Sequence, residues 1–170
     1  MKVFLIGYRC TGKTTIGKIL SERLHHDFLD MDQAIEQQTG STIADLVRAQ
    51  GWAYFRRIEK EILFKTGEMK DTVVSTGGGI VTDPENLIFL NRNGFVIWLD
   101  ADIKTILSRL DSDPSTLSSR PSLTAKRLAE ETEEVLNIRR PLYEKAAHLR
   151  IETGRSGPKE IVTLIERRLP

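Results

Sequence analysis

The chain has 170 residues, of which 39% are hydrophobic and 29% charged, and its formal net charge is +1. This length suits one domain, and the composition is typical of a globular protein rather than a disordered one. The balanced charge excludes an overall attraction to nucleic acid or an anionic membrane, and no apolar run approaches the roughly 20 residues of a membrane span. A single cysteine excludes an internal disulfide framework and leads us to expect a cytoplasmic protein.

Short apolar runs alternate with amphipathic stretches, which predicts an α/β fold with a parallel sheet and helices on both faces. We expect strands at 2–6, 27–30, 72–75, 95–100 and 149–153. Helices are predicted at 12–25, 31–38, 42–50, 52–66, 84–91, 102–110, 126–147 and 158–169. Pro141 lies inside the seventh of these helices, where it should cause a kink or a break. Ligands bind beyond the carboxyl ends of the strands in such sheets.

The first predicted strand leads into a phosphate loop, which we define as residues 7–15. Gly7, Gly12, Lys13 and Thr14 fill every fixed position of the template G-x-x-x-x-G-K-[ST]. The glycines allow backbone N–H groups to point at phosphate oxygens, the lysine can reach the β- and γ-phosphates, and the threonine hydroxyl can bind Mg²⁺. The helix that follows adds the positive end of its dipole. The loop therefore predicts a nucleoside triphosphate site.

Two acidic residues, Asp30 and Asp32, come at the end of the second predicted strand. Residues two apart lie on the same side of a strand, so both carboxylates can face one site. Such a pair beside a phosphate loop suggests a Mg²⁺-linked acid and a general base. The alternative is that Asp32 caps the next helix.

Two later segments carry candidate substrate-binding residues. Arg56 and Glu59 are i,i+3 neighbours on a predicted helix, so the glutamate can hold the guanidinium ready for a substrate carboxylate, and Phe55 could wall an organic ring. The glycines at 77–79 follow a buried strand and allow close approach of the backbone to a ligand. A flexible linker is the alternative for these glycines.

The segment 111–123 is rich in serine and proline and almost devoid of apolar residues. Either it is a surface loop, or it is a lid that closes over the nucleotide and excludes water. A lone basic residue within it, Arg120, favours the lid. Asp100 ends a strand that resembles a metal-binding strand of nucleotide-binding proteins, but we do not expect it to bind metal.

Taken together, these pieces resemble the shikimate kinase family over nearly the whole chain and in the same order. The matching pieces are the phosphate loop, the acid pair, F-R-x-x-E at 55–59, residues 75–79, Arg120-Pro121, and Arg139 before Pro141. The resemblance implies a single P-loop kinase domain over residues 1–170, with sheet order 2-3-1-4-5, a substrate-binding segment at about 31–61 and a lid at about 111–124. It also implies phosphorylation of the shikimate 3-hydroxyl by MgATP, in the pathway to chorismate and aromatic amino acids.

The resemblance further implies roles for individual positions. ATP would be bound by Gly7, Cys10, Thr11, Gly12, Lys13, Thr14, Thr15, Arg109, Arg120 and Arg155. Thr14 would bind Mg²⁺ directly, and Asp30 and Ser75 would support it through water. Shikimate would be bound by Asp32, Phe55, Arg56, Gly77, Gly78, Gly79 and Arg139. In catalysis, Asp32 would accept the proton of the hydroxyl. Lys13 and Arg120 would stabilise the transferring phosphoryl group.

Cys10 stands where many family members have glycine. It lies between Arg9 and Lys13 near a helix N-terminus, where a thiolate is favoured, so we expect a reactive thiol; the alternative is a small, inert residue. We expect shikimate as the small-molecule partner, neither nucleic acid nor membrane as a partner, and a monomer. Two other functions stay open: a kinase for another small hydroxy acid, and a nucleotide-binding relative without catalysis.

Overall fold

Five parallel strands form the centre of the structure, a computed structural model that describes residues 1–112 and 127–170. The strands are β1 (Val3–Ile6), β2 (Asp27–Asp30), β3 (Thr72–Ser75), β4 (Phe95–Asp100) and β5 (Leu149–Glu152). Their order is β2-β3-β1-β4-β5. In the register, Val3 of β1 lies beside Val73 of β3 and Phe95 of β4. The predicted fold class and sheet order are confirmed.

Seven helices lie between the strands or after the last of them, within the part of the chain that the structure describes. They are α1 (Lys13–Leu24), α2 (Met31–Thr39), α3 (Ile43–Lys65), α4 (Pro84–Asn93), α5 (Ile103–Ser112), α6 (Leu128–Ala146) and α7 (Pro158–Glu166). The two helices predicted at 42–50 and 52–66 join in α3, where Gly51 forms a kink with φ of 82°. Short 3₁₀ turns at Thr66–Glu68 and Ile80–Thr82 follow α3 and β3.

Side chains at the helix starts explain where several helices begin. The Thr42 hydroxyl accepts from the N–H of Asp45 at 3.2 Å, and the Asp83 carboxylate accepts from the N–H of Glu85 at 2.8 Å. Both bonds satisfy N–H groups that have no partner within the helix. Pro84 occupies the first turn of α4, where its missing N–H costs nothing. These caps fix the starts of α3 and α4.

Of the kink or break predicted at Pro141, the break is absent, because α6 continues past the proline as far as Ala146, and the kink stays a prediction. A proline in a helix interior costs about 3 kcal/mol, mainly through one lost hydrogen bond and a clash with the preceding turn. Both halves of α6 nevertheless bury side chains, with Val135 and Leu136 before the proline and Tyr143 after it. Burial of a large apolar side chain contributes about 1.5–3 kcal/mol, so the packing of α6 outweighs the local cost.

The core lies on both faces of the sheet, and β1 is its centre. All four residues of β1 are fully buried. Phe4 and Ile6 pack against the face that carries α3 and Tyr143, whereas Val3 and Leu5 pack against the face that carries α1 and α7. This alternation is what a strand covered on both faces requires. The parallel pairing of β2, β3 and β1 places their carboxyl ends side by side, and the candidate site lies there.

No helix within residues 1–112 and 127–170 has the length and apolar character that a bilayer span requires.

Candidate active site

The phosphate loop has the backbone geometry that its glycines predict. Gly7 and Gly12 have φ of 140° and 93°, values that residues other than glycine rarely adopt. A Cβ at Gly7 would also lie only 2.3 Å from the Leu99 carbonyl oxygen. The Lys13 ammonium donates to the carbonyl oxygens of Gly7 and Tyr8, each at 2.8 Å. The lysine is therefore held at the centre of the loop, where phosphate oxygens would be bound.

Cys10 occupies a backbone position that favours glycine. Its φ is 61°, in the left-handed region. This geometry gives a physical reason why glycine suits the position. The Cys10 carbonyl accepts from the Arg109 guanidinium at 3.0 Å, and the same guanidinium donates to the Thr153 carbonyl at 2.6 Å. Arg109 thus joins the phosphate loop to the segment after β5.

The acid pair is divided between a strand and a helix. Asp30 is the last residue of β2 and accepts from the Thr14 hydroxyl at 2.6 Å, while Asp32 lies in the first turn of α2. The expectation that strand alternation aligns the two carboxylates is therefore wrong. The helix cap considered for Asp32 belongs to Asp30, which accepts from the N–H of Asp32 at 3.0 Å. Asp30, and not Asp32, therefore supplies the side-chain cap of α2.

Two cavities meet beside these acids. A cavity of about 450 Å³ covers the phosphate loop and is lined by Cys10, Thr11, Gly12, Lys13, Thr14, Thr15, Ile16, Asp32, Ser75, Thr76, Arg109, Thr153, Ser156, Pro158 and Ile161. A second, smaller cavity is lined by Tyr8, Arg9, Asp32, Ile43, Trp52, Phe55, Arg56, Glu59, Gly77, Gly78, Gly79 and Arg139. We call them the nucleotide cavity and the substrate cavity. Asp32 lines both.

A buried carboxylate, that of Glu59, holds the Arg56 guanidinium of the substrate cavity in place. The Arg56 guanidinium donates to Glu59 at 2.5 Å, and the Glu59 side chain is 1% exposed. Burial raises the pKa of Glu59, and the neighbouring positive charge of Arg56 opposes the rise. Arg56 also lies over the rings of Phe55 and Trp52, at 5.1 and 5.5 Å from their centroids. Its guanidinium is thereby held at the cavity wall.

Glycine is required at positions 77 and 79 because the side chains of Glu59 and Arg56 occupy the space that a Cβ would fill. A Cβ at Gly77 would lie 2.2 Å from a Glu59 carboxylate oxygen, and one at Gly79 would lie 2.1 Å from the Arg56 guanidinium. Real Cβ atoms do not approach other atoms so closely, so neither position admits a larger residue without movement of the Arg56–Glu59 pair. The flexible-linker alternative is therefore wrong, and close approach of this backbone to a ligand stays a prediction.

Some residues predicted for the site do not line either cavity or lie outside the described residues. Gly7 contributes its carbonyl to Lys13 and does not line the nucleotide cavity, and Arg155 does not line it either, whereas its neighbour Ser156 does. Asp111 and Ser112 belong to the last turn of α5. Arg120 and the rest of the predicted lid, 113–124, lie outside the described residues. Asp100 accepts from Arg150 at 2.6 Å.

Several site residues were missed from the sequence. Tyr8, Arg9, Ile43 and Trp52 line the substrate cavity although the motifs leave them undefined. Arg9 donates to Glu131 of α6 at 3.1 Å, with both side chains almost fully buried. The two residues are 122 positions apart. The only local signal was the position of Arg9 within the phosphate loop, and nothing in the sequence indicated its partner.

A model of the shikimate kinase family matches residues 9–170. The chain belongs to the shikimate kinase family. Curated members of this family are similar over nearly their full length: "Shikimate kinase 2" of Photorhabdus laumondii is 40% identical over 96% of this chain and 92% of the relative. "Shikimate kinase" of Syntrophus aciditrophicus is 39% identical over 98% and 89%.

Solved structures of shikimate kinases share the fold. The enzyme from Acinetobacter baumannii, in complex with shikimate, has a TM-score of 0.90 and 32% identity, covering 99% of this chain and 95% of that one. The enzyme from Aquifex aeolicus has a TM-score of 0.81 and 32% identity, over 98% and 94%. The predictions of the shikimate kinase family, of its P-loop kinase fold and of an ATP-dependent kinase are confirmed.

Proposed function

We propose that the chain transfers the γ-phosphoryl group of ATP to the 3-hydroxyl of shikimate. The observation that carries this proposal is the position of Asp32 at the junction of the two cavities. Phosphoryl transfer requires an acceptor hydroxyl in line with the γ-phosphate and a group that takes up its proton. A carboxylate that borders both the nucleotide and the acceptor meets this requirement.

The nucleotide cavity supplies the charge for the phosphates. Lys13 would exchange its two backbone carbonyl partners for β- and γ-phosphate oxygens, and the loop N–H groups and the start of α1 add further positive potential. Arg109 borders the same cavity near Thr153 and Ser156, as expected for a wall of the adenine site. Arg155 would contribute through its backbone only.

The oxygen donors beside Lys13 suit Mg²⁺. The Thr14 hydroxyl contacts the Asp30 carboxylate at 2.6 Å, and Asp30 lies opposite Ser75 in the register of β2 and β3. Mg²⁺ prefers hard oxygen ligands and retains several waters, so Thr14 as direct ligand with Asp30 and Ser75 behind water fits this set. When bound, the ion would neutralise charge on the β- and γ-phosphates.

The substrate cavity contains the arginines that would bind the carboxylate of shikimate. Arg56 and Arg139 both line it, and a guanidinium binds a carboxylate through two parallel hydrogen bonds. With shikimate held in this way, the hydroxyl gives its proton to Asp32 as its oxygen bonds to the γ-phosphorus. The bond from that phosphorus to the β,γ-bridging oxygen then breaks, and ADP leaves. The role of Arg120 in stabilising the transferring group stays a prediction.

The test is turnover in a coupled assay that measures ADP release with MgATP and each of shikimate, quinate, gluconate and nucleoside monophosphates. We expect shikimate to be preferred, and ³¹P and ¹H NMR of the product to place the phosphate on the 3-hydroxyl. Preference for quinate or gluconate would support a kinase for another hydroxy acid, and absence of turnover with every acceptor would support the non-catalytic alternative. Nucleoside monophosphates serve as the acceptors that lack a carboxylate.

The proposal extends to the state of the protein. The near-zero net charge supports the absence of nucleic acid and membrane as partners, and the single cysteine supports the cytoplasm. A monomer is part of the same proposal. Light scattering during size-exclusion chromatography would test it: we expect the mass of one 19.3 kDa chain, and a mass of two chains would contradict the monomer.

A further inference from the structure

The middle glycine of the substrate cavity is held differently from its neighbours. The Gly77 carbonyl accepts from the N–H of Ile80 at 3.2 Å, and the Gly79 carbonyl accepts from the N–H of Thr82 at 3.0 Å, so both bonds lie within the local turn. The Gly78 carbonyl instead accepts from the Tyr143 hydroxyl at 2.5 Å, across 65 positions of the chain. A distant helix therefore determines how this one peptide group is oriented.

Tyr143 is itself fixed by its surroundings. Its side chain is fully buried, and its ring stacks on Trp98 of β4 with centroids 5.7 Å apart and an angle of 27° between the planes. Burial raises the pKa of the Tyr143 hydroxyl, and the charge of Arg139, one turn earlier on α6, opposes the rise. Because the pKa stays above its usual value of about 10, the hydroxyl is protonated and able to donate at neutral pH.

The bond has a consequence for the neighbouring amide. In a trans peptide the C=O and N–H bonds of one unit point in opposite directions. Tyr143 does not line the substrate cavity, whereas Gly78 and Gly79 do. Because the Gly78 carbonyl is directed at Tyr143, a residue outside the lining of the cavity, the opposite side of the same peptide carries the Gly79 N–H. Among the residues that the structure describes, this N–H has no hydrogen-bond acceptor.

The same contact ties together three parts of the site. Gly78 lies against the phosphate loop, since a Cβ there would be 3.4 Å from the Gly7 carbonyl oxygen and 3.5 Å from the Arg9 nitrogen. Tyr143 shares α6 with Arg139, at the i,i+4 spacing that places both on one side of the helix. A shift of the hydroxyl would thus alter the distance between Arg139 and the glycines.

We infer that Tyr143 is a positioning residue for substrate binding, whose hydroxyl orients the Gly78–Gly79 peptide so that the Gly79 N–H donates to bound shikimate. This inference rests on the proposed function. Without the hydroxyl the peptide can rotate, so that the N–H is no longer directed at the substrate and the Gly78 carbonyl loses its partner. Nucleotide binding uses other groups of the phosphate loop and should change little.

The test is Tyr143→Phe, which keeps the ring stacked on Trp98 and removes only the hydroxyl. We expect KM for shikimate to rise about tenfold, corresponding to one well-made hydrogen bond, while KM for ATP stays within about twofold of the parent. Tyr54→Phe is the matched control, because that tyrosine lies on α3 outside both cavities and should leave both constants unchanged. A residue that merely supports the fold would raise both constants or neither, and either result would overturn the inference.

A second measurement compares the unmodified protein with Tyr143→Phe, and its result in the unmodified protein does not depend on how the variant folds. In ¹⁵N–¹H spectra, saturating shikimate should shift the Gly79 amide signal strongly, and in Tyr143→Phe this shift should be lost. An unshifted Gly79 amide in the parent, while shikimate is turned over, would overturn the inference and leave the proposed function intact. If the parent neither turns over shikimate nor shows the shift, the proposed function and the inference are both wrong.

Discussion

The two cavities of the site are built by different means. The phosphate side of the nucleotide cavity is formed by a run of consecutive residues, 10–16, whose backbone N–H groups and helix start provide the binding groups. The substrate cavity gathers side chains from α2, α3, α6 and two loops that are far apart in the chain. A cavity made by local backbone should tolerate changes of side chain, whereas one made by converging side chains should lose affinity when any of them is removed.

The largest expected effect concerns Asp32, which the two cavities share. Asp32→Asn should lower kcat by roughly 10²–10⁴, the usual range for loss of a general base, with little change in ATP binding. Steady-state turnover and nucleotide titration measure the two effects. Asp27→Asn is the control, since Asp27 is an exposed acid on the same strand as Asp30. Near-normal turnover of Asp32→Asn would mean that the carboxylate has no part in proton transfer.

The next effect would test whether the substrate cavity depends on its side chains. Arg56→Ala and Arg139→Ala should each weaken shikimate binding by about 2–5 kcal/mol, because a substrate carboxylate would be left buried without a partner. MgATP affinity should be retained. Calorimetric titration of each ligand measures both values.

The neighbouring residue offers a matched control for this experiment. Arg57 is 64% exposed and lies 4.0 Å from Glu61 on the outer side of α3, so Arg57→Ala should bind shikimate like the parent. If Arg57→Ala and Arg56→Ala weaken binding equally, the effect is one of overall charge, and the proposed grip on the carboxylate is wrong.

A smaller effect is expected at the buried carboxylate that holds Arg56. Glu59→Gln keeps the shape of the side chain but removes the charge-assisted bond to Arg56, so KM for shikimate should rise roughly tenfold or more. Because the pKa of Glu59 is raised, lowering the pH from 7 should protonate it earlier than a glutamate of ordinary pKa. In the parent, KM for shikimate should therefore rise on the acid side.

The raised pKa of Glu59 also determines how this residue's contribution to the free energy of unfolding depends on pH. The native state binds the Glu59 proton more tightly than the unfolded state does, so this residue's contribution to the free energy of unfolding falls as pH rises from the usual glutamate pKa through the raised one. Glu59→Gln should lack this fall, as measured by urea unfolding at several pH values. An identical pH profile in parent and variant would contradict the raised pKa.

The smallest effect would test the tolerance of the backbone-built cavity. Cys10→Gly relieves a left-handed φ but adds chain entropy to the unfolded state, so the free energy of unfolding should change by no more than about 1 kcal/mol, with activity retained. A thiol reagent should inactivate the parent, MgATP should protect it, and Cys10→Gly should be insensitive.

His25 provides the comparison for Cys10, because it too has a left-handed φ, of 54°, at the end of α1 and outside both cavities. His25→Gly should alter stability by a similar amount and leave the protein sensitive to the reagent. A parent thiol that resists labelling at pH 8, with and without nucleotide, would show that Cys10 is inert.

The difference between the cavities also explains which site residues could be predicted. The backbone path of the phosphate loop, with positive φ at Gly7 and Gly12, could be predicted because glycine spacing within consecutive residues reveals it. Arg56 and Glu59 were predicted as a pair because they are one turn apart on a helix. Arg9, by contrast, has a partner 122 positions away, and no local pattern marks such a contact.

The amino-acid sequence by itself determined the order of strands and helices, the phosphate loop and the family, since periodicity, glycine spacing and short motifs are local properties of the chain. Tertiary structure alone decided that Asp30 rather than Asp32 caps α2, that α6 continues through Pro141, and that Tyr143 holds Gly78. The cap of α2 depends on competition between two neighbouring carboxylates. The other two outcomes depend on packing or hydrogen bonding between elements that are distant in sequence. The energies involved are a few kcal/mol, enough to override a local preference and too dependent on the fold to be inferred from residue type.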